Sequence, residues 1–264
     1  MSSSSGFTVV IPARYGSTRL PGKPLLDLSG KPMIQHVVER ALASRASDVI
    51  VATDDRRIVD AVKTKSVKVV LTSKEHQSGT DRVWEAVEDA DLQDESVIVN
   101  VQGDEPLIPS AVINQAAELV SSAKDCGVAT LCEAIRDGRD IFNSNIVKVV
   151  ADRNGRALYF SRAPIPWQRG AFDSNEIPND TDSWFRHLGI YAFKYWALQQ
   201  FVSLPQSRLE TRESLEQLRL LENGMSIAIA ESNYTIPAGV DTQEDVERVR
   251  KVLSNECSNQ VKSS

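Results

Sequence analysis

The chain has 264 residues, of which 41% are hydrophobic and 25% charged, values typical of a globular protein that buries a full core. Its formal net charge of −6 argues against DNA or RNA as the main partner, because such proteins neutralise phosphates over a wide positive face. No apolar run approaches the roughly 20 residues that span a bilayer, so membrane insertion is not predicted.

The cysteines and the two ends of the chain indicate where the protein works. Cys126, Cys132 and Cys257 are widely spaced and odd in number, which fits neither a disulfide framework nor a zinc site. Residues 1–6 lack the basic and apolar regions of a secretory signal. We therefore expect a reducing cytoplasm, and a single domain at 7–254 between disordered tails at 1–6 and 255–264.

The first half of the chain alternates short β-branched runs with helical periodicity. The runs predict strands at 7–11, 49–52, 67–71 and 97–101, and the periodic segments predict helices at 32–43, 56–63 and 80–89. The helix at 32–43 has one apolar stripe, made of Ile34, Val37, Val38, Ala41 and Leu42. Strands that are apolar throughout and separated by helices indicate a parallel sheet covered on both faces.

The second half has a different pattern. Strands are predicted at 147–150, 157–160 and 188–193 with little helix between them, and 163–184 reads as a long loop. We interpret about 135–205 as a smaller sub-lobe with a mixed sheet. A helix at 210–222 and a strand at 226–230 follow, and a capping box at Thr242 predicts the start of the last helix.

A basic loop directly follows the first strand. The segment 12–24 holds Arg14, Arg19 and Lys23 together with Gly and Pro residues that prevent a helix. Cations and exposed N–H groups in a loop at the carboxyl end of a strand suit a triphosphate. The glycine spacing and the proline after Lys23 exclude a Walker A motif, and no dinucleotide fingerprint is present. A solvated basic surface loop is the alternative interpretation.

Acidic residues follow other predicted strands. Asp104 comes after the strand at 97–101, and Asp241 directly precedes the last helix. Mg²⁺ in phosphate chemistry takes one or two carboxylates, so these two side chains are candidate ligands. An Asx turn at Asp104 and helix capping by Asp241, with Thr242 as the rival cap, remain alternatives. Either Asp54 or Asp55 caps the helix at 56–63, or contacts a nucleotide base.

Glycine and polar residues complete the candidate site. Gly103 would let the backbone approach a ligand closely. The turn at 76–82 is a natural anion or base contact because it begins a helix. Ser161 and Arg162 end one predicted strand, and His187 begins another.

Taken together, the motifs resemble those of a known family. The similar blocks lie in the family's order and cover nearly the whole chain: 11–14, 17–25, 51–54, 76–82, 100–106, 158–162, 187–191, 215–219 and 239–242. They resemble the bacterial CMP-Kdo synthetases, or 3-deoxy-manno-octulosonate cytidylyltransferases. The sialic-acid cytidylyltransferases typically lack the Thr-Arg-Leu-Pro-Gly-Lys-Pro form of residues 18–24 seen here.

The resemblance implies a fold and a reaction. The fold is a Rossmann-like α/β nucleotidyltransferase fold, with a mostly parallel sheet flanked by helices and a mixed-sheet sub-lobe for sugar binding and dimerisation. CTP and 3-deoxy-D-manno-octulosonate (Kdo) are the implied substrates. CMP-Kdo for bacterial lipopolysaccharide and pyrophosphate are the products. Mg²⁺ is the implied cofactor, and a cytoplasmic homodimer without nucleic acid or membrane insertion is the implied state.

The resemblance also implies roles for individual residues. Those expected to be catalytic are Arg14, Arg19, Lys23, Asp104 and Asp241, of which Asp104 and Asp241 bind the metal. Those expected to bind the nucleotide are Ala13, Arg14, Arg19, Lys23, Ala52, Thr53, Asp54, Ser78, Gly79, Arg82 and Gln102. Those expected to bind the sugar are Gln102, Ser161, Arg162, His187, Tyr191, Glu216 and Gln217.

Other functions remain open from the sequence. Another sugar or base, such as a sialic acid or a hexose phosphate, is the nearest rival, and an amino-substituted Kdo is not distinguished from Kdo. A non-catalytic nucleotide-binding module is a rival of another class. For removal of the proton from the sugar hydroxyl, metal-assisted deprotonation is preferred over Asp104 as a direct base.

Overall fold

The computed structural model describes residues 6–16, 20–62, 64–76, 78–170, 172 and 181–262. The chain forms two compact units, the first made of 1–114 and 236–264 and the second of 115–235. The sub-lobe predicted at 135–205 falls within the second unit, which begins earlier and ends later.

The strands carry the β-branched runs of the sequence. In chain order they are β1 (Thr8–Ala13), β2 (Asp27–Leu28), β3 (Lys31–Pro32), β4 (Asp48–Thr53), β5 (Lys68–Leu71), β6 (Val97–Asn100), β7 (Val128–Ala134), β8 (Lys148–Ala151), β9 (Ala157–Ser161), β10 (Phe185–Lys194) and β11 (Ile227–Glu231). β7 and the short β2–β3 pair were not predicted from the sequence.

The helices are mostly short. In chain order they are α1 (Met33–Leu42), α2 (Arg56–Ala61), α3 (Gly79–Glu85), α4 (Ser110–Ser122), α5 (Gly138–Phe142), α6 (Tyr195–Ser203), α7 (Arg208–Glu213), α8 (Gln217–Glu222) and α9 (Gln243–Lys262), with a 3-10 turn at Lys23–Leu25. None of the helices in the described residues is long and apolar enough to cross a membrane.

The first unit is built on a parallel sheet. β1 lies between β6 and β4, and β5 pairs with the other edge of β4, all in parallel register. Val9 and Ile11 of β1 are fully buried, as the continuous apolar runs predict. α1 buries Ile34 and Val37, but Leu42 is 40% exposed. Leu42 was wrongly assigned to the buried stripe, because the helix ends at that residue.

The second unit has a mixed sheet. β7 pairs in parallel with β11 and antiparallel with β10, while β8 pairs antiparallel with both β9 and β10. The pairing of β10 with β7 shifts register between Leu188 and Tyr191. Parallel pairing with helices in the first unit and mixed pairing in the second confirm the predicted fold class.

The predicted helix at 210–222 is wrong, because the chain forms α7 and α8 instead. Ser214 adopts a left-handed conformation between them, with φ 53°. Glu210 of α7 accepts hydrogen bonds from Arg219 of α8 at 2.6 and 2.9 Å, and both side chains are buried. A pair buried this way needs the chain to turn between the two residues, so a continuous helix is not formed.

α9 extends into the predicted C-terminal tail at 255–264 and continues to Lys262, while residues 263–264 lie outside the described residues. Its first turns are fixed by Val246, Val249 and Leu253, which join a buried cluster with Leu28 and Met33. Their spacing places them on one helix face, and the helix continues beyond them. The predicted N-terminal tail lies outside the described residues except for Gly6.

Candidate active site

Three loops of the first unit leave the same edge of its sheet. The register pairs Val10 of β1 with Asn100 of β6, and Ala13 of β1 with Thr53 of β4. Parallel strands end at one edge, so the segments after β1, β4 and β6 gather there. Gly103 lies close to β1, since a Cβ at this position would be 2.8 Å from the carbonyl oxygen of Pro12. The glycine therefore admits the protein's own backbone, whereas the sequence had suggested a ligand.

One lysine joins the two predicted metal carboxylates. Lys23 Nζ donates to Asp104 Oδ2 at 2.7 Å and to Asp241 Oδ1 at 3.0 Å. The distance between the two carboxylate oxygens is therefore no greater than the sum of these two distances. The two carboxylates thus meet at one ammonium, within the roughly 8 Å expected of carboxyl groups that share one site. Binding of Mg²⁺ by this pair stays a prediction.

The backbone holds Asp241 next to Asp104. Val240 is fully buried, and its N–H donates to the Asp104 carbonyl oxygen at 2.9 Å. Thr242 caps α9, because its Oγ1 accepts from Asp245 N at 3.3 Å while the Asp245 carboxylate accepts from Thr242 N at 3.0 Å. The cap belongs to Thr242, and the Asp241 carboxylate faces Lys23.

The charges of this trio suit a cation. Burial by itself lowers the pKa of Lys23, but the carboxylates of Asp104 and Asp241 outweigh it and raise that pKa above its ordinary value. Two carboxylates against one ammonium leave a net negative charge. The described residues contain no group of three or more His, Cys, Asp or Glu arranged for a metal. Mg²⁺ bound with phosphates needs only one or two carboxylates, so the donor set fits this ion.

Asp54 and Asp55 have separate roles. Asp55 caps α2, since its Oδ1 accepts from Arg57 N at 2.9 Å. Asp54 Oδ2 instead accepts from Arg82 Nη2 at 3.3 Å. Arg82 is only 3% exposed and also donates to Ser73 O at 3.1 Å and to the Thr72 hydroxyl. Burial lowers the pKa of Arg82, against the opposing charge of Asp54.

The remaining predicted nucleotide contacts differ in exposure. Ala52 and Thr53 are fully buried, so in this structure their side chains contact protein. Ser78 caps α3 by accepting from Asp81 N at 3.0 Å. Gln102 lies near the start of the same helix, because its Oε1 would be 3.8 Å from a Cβ at Gly79.

The second unit contains a cluster around Glu213. Its carboxylate accepts from Ser161 Oγ at 2.6 Å and from Arg162 N at 3.0 Å. The Arg162 guanidinium donates to main-chain oxygens, to Glu213 O at 2.6 Å and to Ser144 O at 2.9 Å. Main-chain contacts of this kind fix the end of β9.

Lys148 lies beneath this cluster and is fully buried. Its Nζ donates to Asn143 O at 2.9 Å, Ile146 O at 2.5 Å and Arg162 O at 2.6 Å. Burial lowers the pKa of Lys148. Three carbonyl oxygens satisfy the three donors of the ammonium, two from the turn at 143–146 and one from Arg162 after β9, so Lys148 joins these two segments.

Three predicted sugar-binding residues lie close together in the second unit. The ring centroids of His187 and Tyr191 are 5.3 Å apart, and His187 Nε2 lies 2.9 Å from Thr130 Oγ1. Desolvation lowers the pKa of His187 to about 3, so its imidazole is neutral near pH 7. Burial raises the pKa of Tyr191, and the charge of Glu216 raises it further. Gln217 is 4% exposed, and its Nε2 has no hydrogen-bond partner among the described residues.

Comparison with known proteins gives one family. A cytidylyltransferase family model matches residues 8–227. A 3-deoxy-manno-octulosonate cytidylyltransferase of Cellvibrio japonicus is 54% identical over 94% of this chain and 98% of its own, and that of Alcanivorax borkumensis is 52% identical over 95% and 99%. The chain belongs to the 3-deoxy-manno-octulosonate cytidylyltransferase family. The resemblance recognised in the sequence is thus confirmed.

A solved structure extends the comparison to the fold of this cytidylyltransferase. It is titled as CMP:2-keto-3-deoxy-manno-octonic acid synthetase complexed with CTP. Its TM-score is 0.86 and its identity 43%, and the alignment covers 96% of this chain and all of that one.

For this member of the cytidylyltransferase family, the structure brings five of the predicted site residues together in two groups. Lys23, Asp104 and Asp241 meet in the first unit, while His187 and Tyr191 meet in the second. Arg14 is exposed, and Arg19 lies outside the described residues. Direct ligand contact by each of these residues stays a prediction.

Sequence reasoning missed Lys148, Glu213 and Thr130. A lysine within the apolar run of β8 was the available signal for Lys148, because a buried ammonium needs partners. No comparable signal marked Glu213 or Thr130, whose partners come from other segments of the unit.

Proposed function

We propose that the chain transfers CMP from CTP to Kdo, and that CMP-Kdo and pyrophosphate are the products. The observation that carries the proposal is the contact of Lys23 with both Asp104 and Asp241, at the edge where the loops after β1 and β6 meet. CMP-Kdo would supply Kdo for bacterial lipopolysaccharide. This cytidylyltransferase is thus an enzyme of sugar activation.

The trio of charges suits phosphoryl transfer. Asp104 and Asp241 would hold Mg²⁺, which when bound neutralises phosphate charge and lowers the pKa of a coordinated hydroxyl. Lys23 and Arg14 would bind the triphosphate and stabilise the negative charge of the leaving pyrophosphate. Such reactions depend mainly on positioning and charge neutralisation, because the attacking and leaving oxygens must be in line.

The proton on the attacking sugar hydroxyl has two routes. Asp104 Oδ2 accepts a hydrogen bond from Lys23, so in the first route the other oxygen of Asp104 would take the proton. In the second route Asp104 and Asp241 would hold Mg²⁺, which would lower the pKa of the hydroxyl so that solvent water takes the proton. We prefer the second route because it keeps both carboxylates as ligands.

We further propose that Kdo contacts come from the second unit. His187, Tyr191 and Glu216 are the residues that support this, since they lie together and combine a neutral ring, a phenol and a carboxylate. A raised KM for Kdo with an unchanged KM for CTP in His187→Ala would support the assignment. An unchanged KM for Kdo would contradict it.

A cytoplasmic homodimer is also part of the proposal. Cys126 and Cys132 are free thiols, which suits a reducing compartment. Leu158 and Trp167 are 60% and 58% exposed, and large exposed apolar side chains suit an interface between copies. Light scattering on a size-exclusion column tests the dimer, and a monomeric mass would refute it.

Release of pyrophosphate is the decisive measurement for the function. Purified protein with CTP, Kdo and Mg²⁺ should release pyrophosphate, and a chelator should abolish the release. ATP, GTP or UTP in place of CTP, and a sialic acid, a hexose phosphate or an amino-substituted Kdo in place of Kdo, define specificity. Release with none of these pairs would favour a non-catalytic nucleotide-binding module.

A further inference from the structure

Tyr15, in the basic loop after β1, is held by contacts of both its backbone and its ring. Its N–H donates to Asp54 Oδ1 at 3.1 Å, and its carbonyl oxygen accepts from Gly22 N at 3.2 Å. The guanidinium carbon of Arg57 lies 3.5 Å from the centroid of the Tyr15 ring. Backbone donor, backbone acceptor and ring therefore each have a protein partner.

Asp54 is itself held in place from behind. Its second oxygen accepts from Arg82 Nη2 at 3.3 Å, and Arg82 is 3% exposed. Arg82 cannot turn away easily, because its other nitrogen donates to Ser73 O at 3.1 Å. The two carboxylate oxygens of Asp54 are thus divided between the loop and a fixed guanidinium.

The bond between Tyr15 and Gly22 closes the base of the loop. Gly22 has φ 69°, a left-handed conformation that suits glycine, and the 3-10 turn that begins at Lys23 follows directly. Arg14 precedes Tyr15, and Lys23 follows Gly22. The closure therefore sets the separation between two cations that the proposed function assigns to the triphosphate.

Arg57 is positioned for its contact with Tyr15. Asp55 accepts from Arg57 Nε at 2.9 Å and from Nη2 at 2.6 Å, a two-bond contact that orients the guanidinium. A guanidinium over an aromatic face is attracted by the ring, so this contact holds the Tyr15 side chain in place.

We propose that Asp54 and Arg57 are positioning residues for the triphosphate: by fixing Tyr15 they set the spacing of Arg14 and Lys23. Asp54 then contributes to binding of the β- and γ-phosphates and does not read the base. The inference rests on the proposed function, in which CTP is the donor. It differs from the role implied by the family resemblance, which put Asp54 near the cytosine and ribose.

The test compares two nucleotides that share a base. Kd values for CTP and CMP are measured by calorimetry on the full chain in one magnesium buffer, for wild type and Asp54→Ala. Loss of a hydrogen bond to a charged group should weaken CTP binding roughly tenfold, while CMP binding changes by less than about twofold. Asp54→Asn keeps an acceptor for Tyr15 N and should restore part of the loss. Asp60→Asn, an exposed carboxylate on α2, is the control for charge and should match wild type.

Equal weakening of CTP and CMP in Asp54→Ala, with loss of the preference for CTP over UTP, would show a base contact and overturn the proposal. Unchanged affinity for both would overturn it as well. Arg57→Ala decides the matter if Asp54→Ala does not fold, because Arg57 is exposed. It should weaken CTP about threefold and leave CMP unchanged. Unchanged affinity for both nucleotides, or weaker binding of both, in Arg57→Ala contradicts the proposal.

A failure of the proposed function can be distinguished from a failure of the proposed role of Asp54 and Arg57. Wild-type protein that releases no pyrophosphate from CTP and Kdo refutes the proposed function whatever the variants do. Normal wild-type turnover together with an unaltered CTP to CMP ratio in the variants refutes only the role of Asp54 and Arg57.

Discussion

Lys23 and Lys148 are both held by oxygen acceptors, but the acceptors differ in kind. Lys23 in the first unit is 13% exposed and contacts the carboxylates of Asp104 and Asp241, which are 36% and 55% exposed. Lys148 in the second unit is fully buried and contacts three main-chain carbonyls. Side-chain partners at the surface exchange for ligands, whereas main-chain partners in the interior do not.

The comparison separates charged groups that can contact substrates from charged groups that stabilise the fold. Substrate phosphates and a cation can replace the contacts of Lys23, because every group involved remains charged and reachable by solvent. Removal of Lys148 would take the ammonium donor from the carbonyls of Ile146 and Arg162, whereas Asn143 O would keep the N–H of Ile146 at 3.1 Å. The first cluster should therefore govern turnover and the second should govern stability.

Asp104→Asn should have the largest effect. It removes one charged oxygen from the proposed cation site, and charge stabilisation is strongest in the transition state. We expect kcat for pyrophosphate release to fall about a thousandfold or more, in the range found when a charge-stabilising group is removed. The melting temperature should change little, because Asp104 is partly exposed.

Asp60→Asn is the matched control for Asp104→Asn, since it removes an exposed carboxylate of α2. It should keep the wild-type kcat. Near-normal turnover in Asp104→Asn would show that Asp104 has no part in the mechanism. The difference in role between the clusters of Lys23 and Lys148 would then not hold.

Lys148→Met should have the next largest effect, and on stability. It leaves buried carbonyl oxygens without a donor, which should lower the free energy of unfolding by about 3 kcal/mol. Lys23→Met should lower it by about 1 kcal/mol or less while abolishing turnover, because ion pairs near the surface contribute little to stability. Urea unfolding of both variants gives the two values. Equal losses would show that the clusters do not differ in role.

The cluster around Lys23 was easier to predict from sequence than the contacts of Lys148. Parallel strands end at one edge of a sheet, so loops far apart in sequence were expected to meet, and Lys23 and Asp104 do meet. This argument needs only the apolar runs and the residues that follow them. Asp241 directly precedes the last helix, and its place beside Asp104 is set by the backbone hydrogen bond from Val240 N to Asp104 O, which no local pattern reveals.

The contacts that stabilise the second unit depend on where distant segments of the chain meet, which no local sequence pattern reveals. The periodicity of 210–222 reads as one helix, and only burial of the pair formed by Glu210 and Arg219 makes the chain turn. Lys148 binds carbonyls from the turn at 143–146 and from Arg162 after β9, so its partners are not visible in the run of β8. Arg82 was expected to contact the nucleotide, and its side chain is buried against Asp54.

At pH 7 the titration of His187 has the smallest of the three predicted effects, and its growth at acidic pH shows which side of the comparison this cluster belongs to. Its pKa falls from an unfolded value of 6.5 to about 3 in the fold, so the unfolded chain binds more protons between these values. Stability is therefore complete above about pH 6.5 and is lost as the pH falls toward 3. The loss from this group is at most about 1.4 kcal/mol for each pH unit.

His187→Gln keeps an amide that can bond to Thr130 and does not titrate. Urea unfolding at pH 7, 5.5 and 4.5 should give a steeper acid loss for wild type than for the variant, since all other titrating groups are common to both. Parallel curves would mean that the imidazole is hydrated and titrates normally. His187 would then resemble the exposed carboxylates around Lys23, with partners that a ligand can replace, and would differ from Lys148, whose partners are fixed by the backbone.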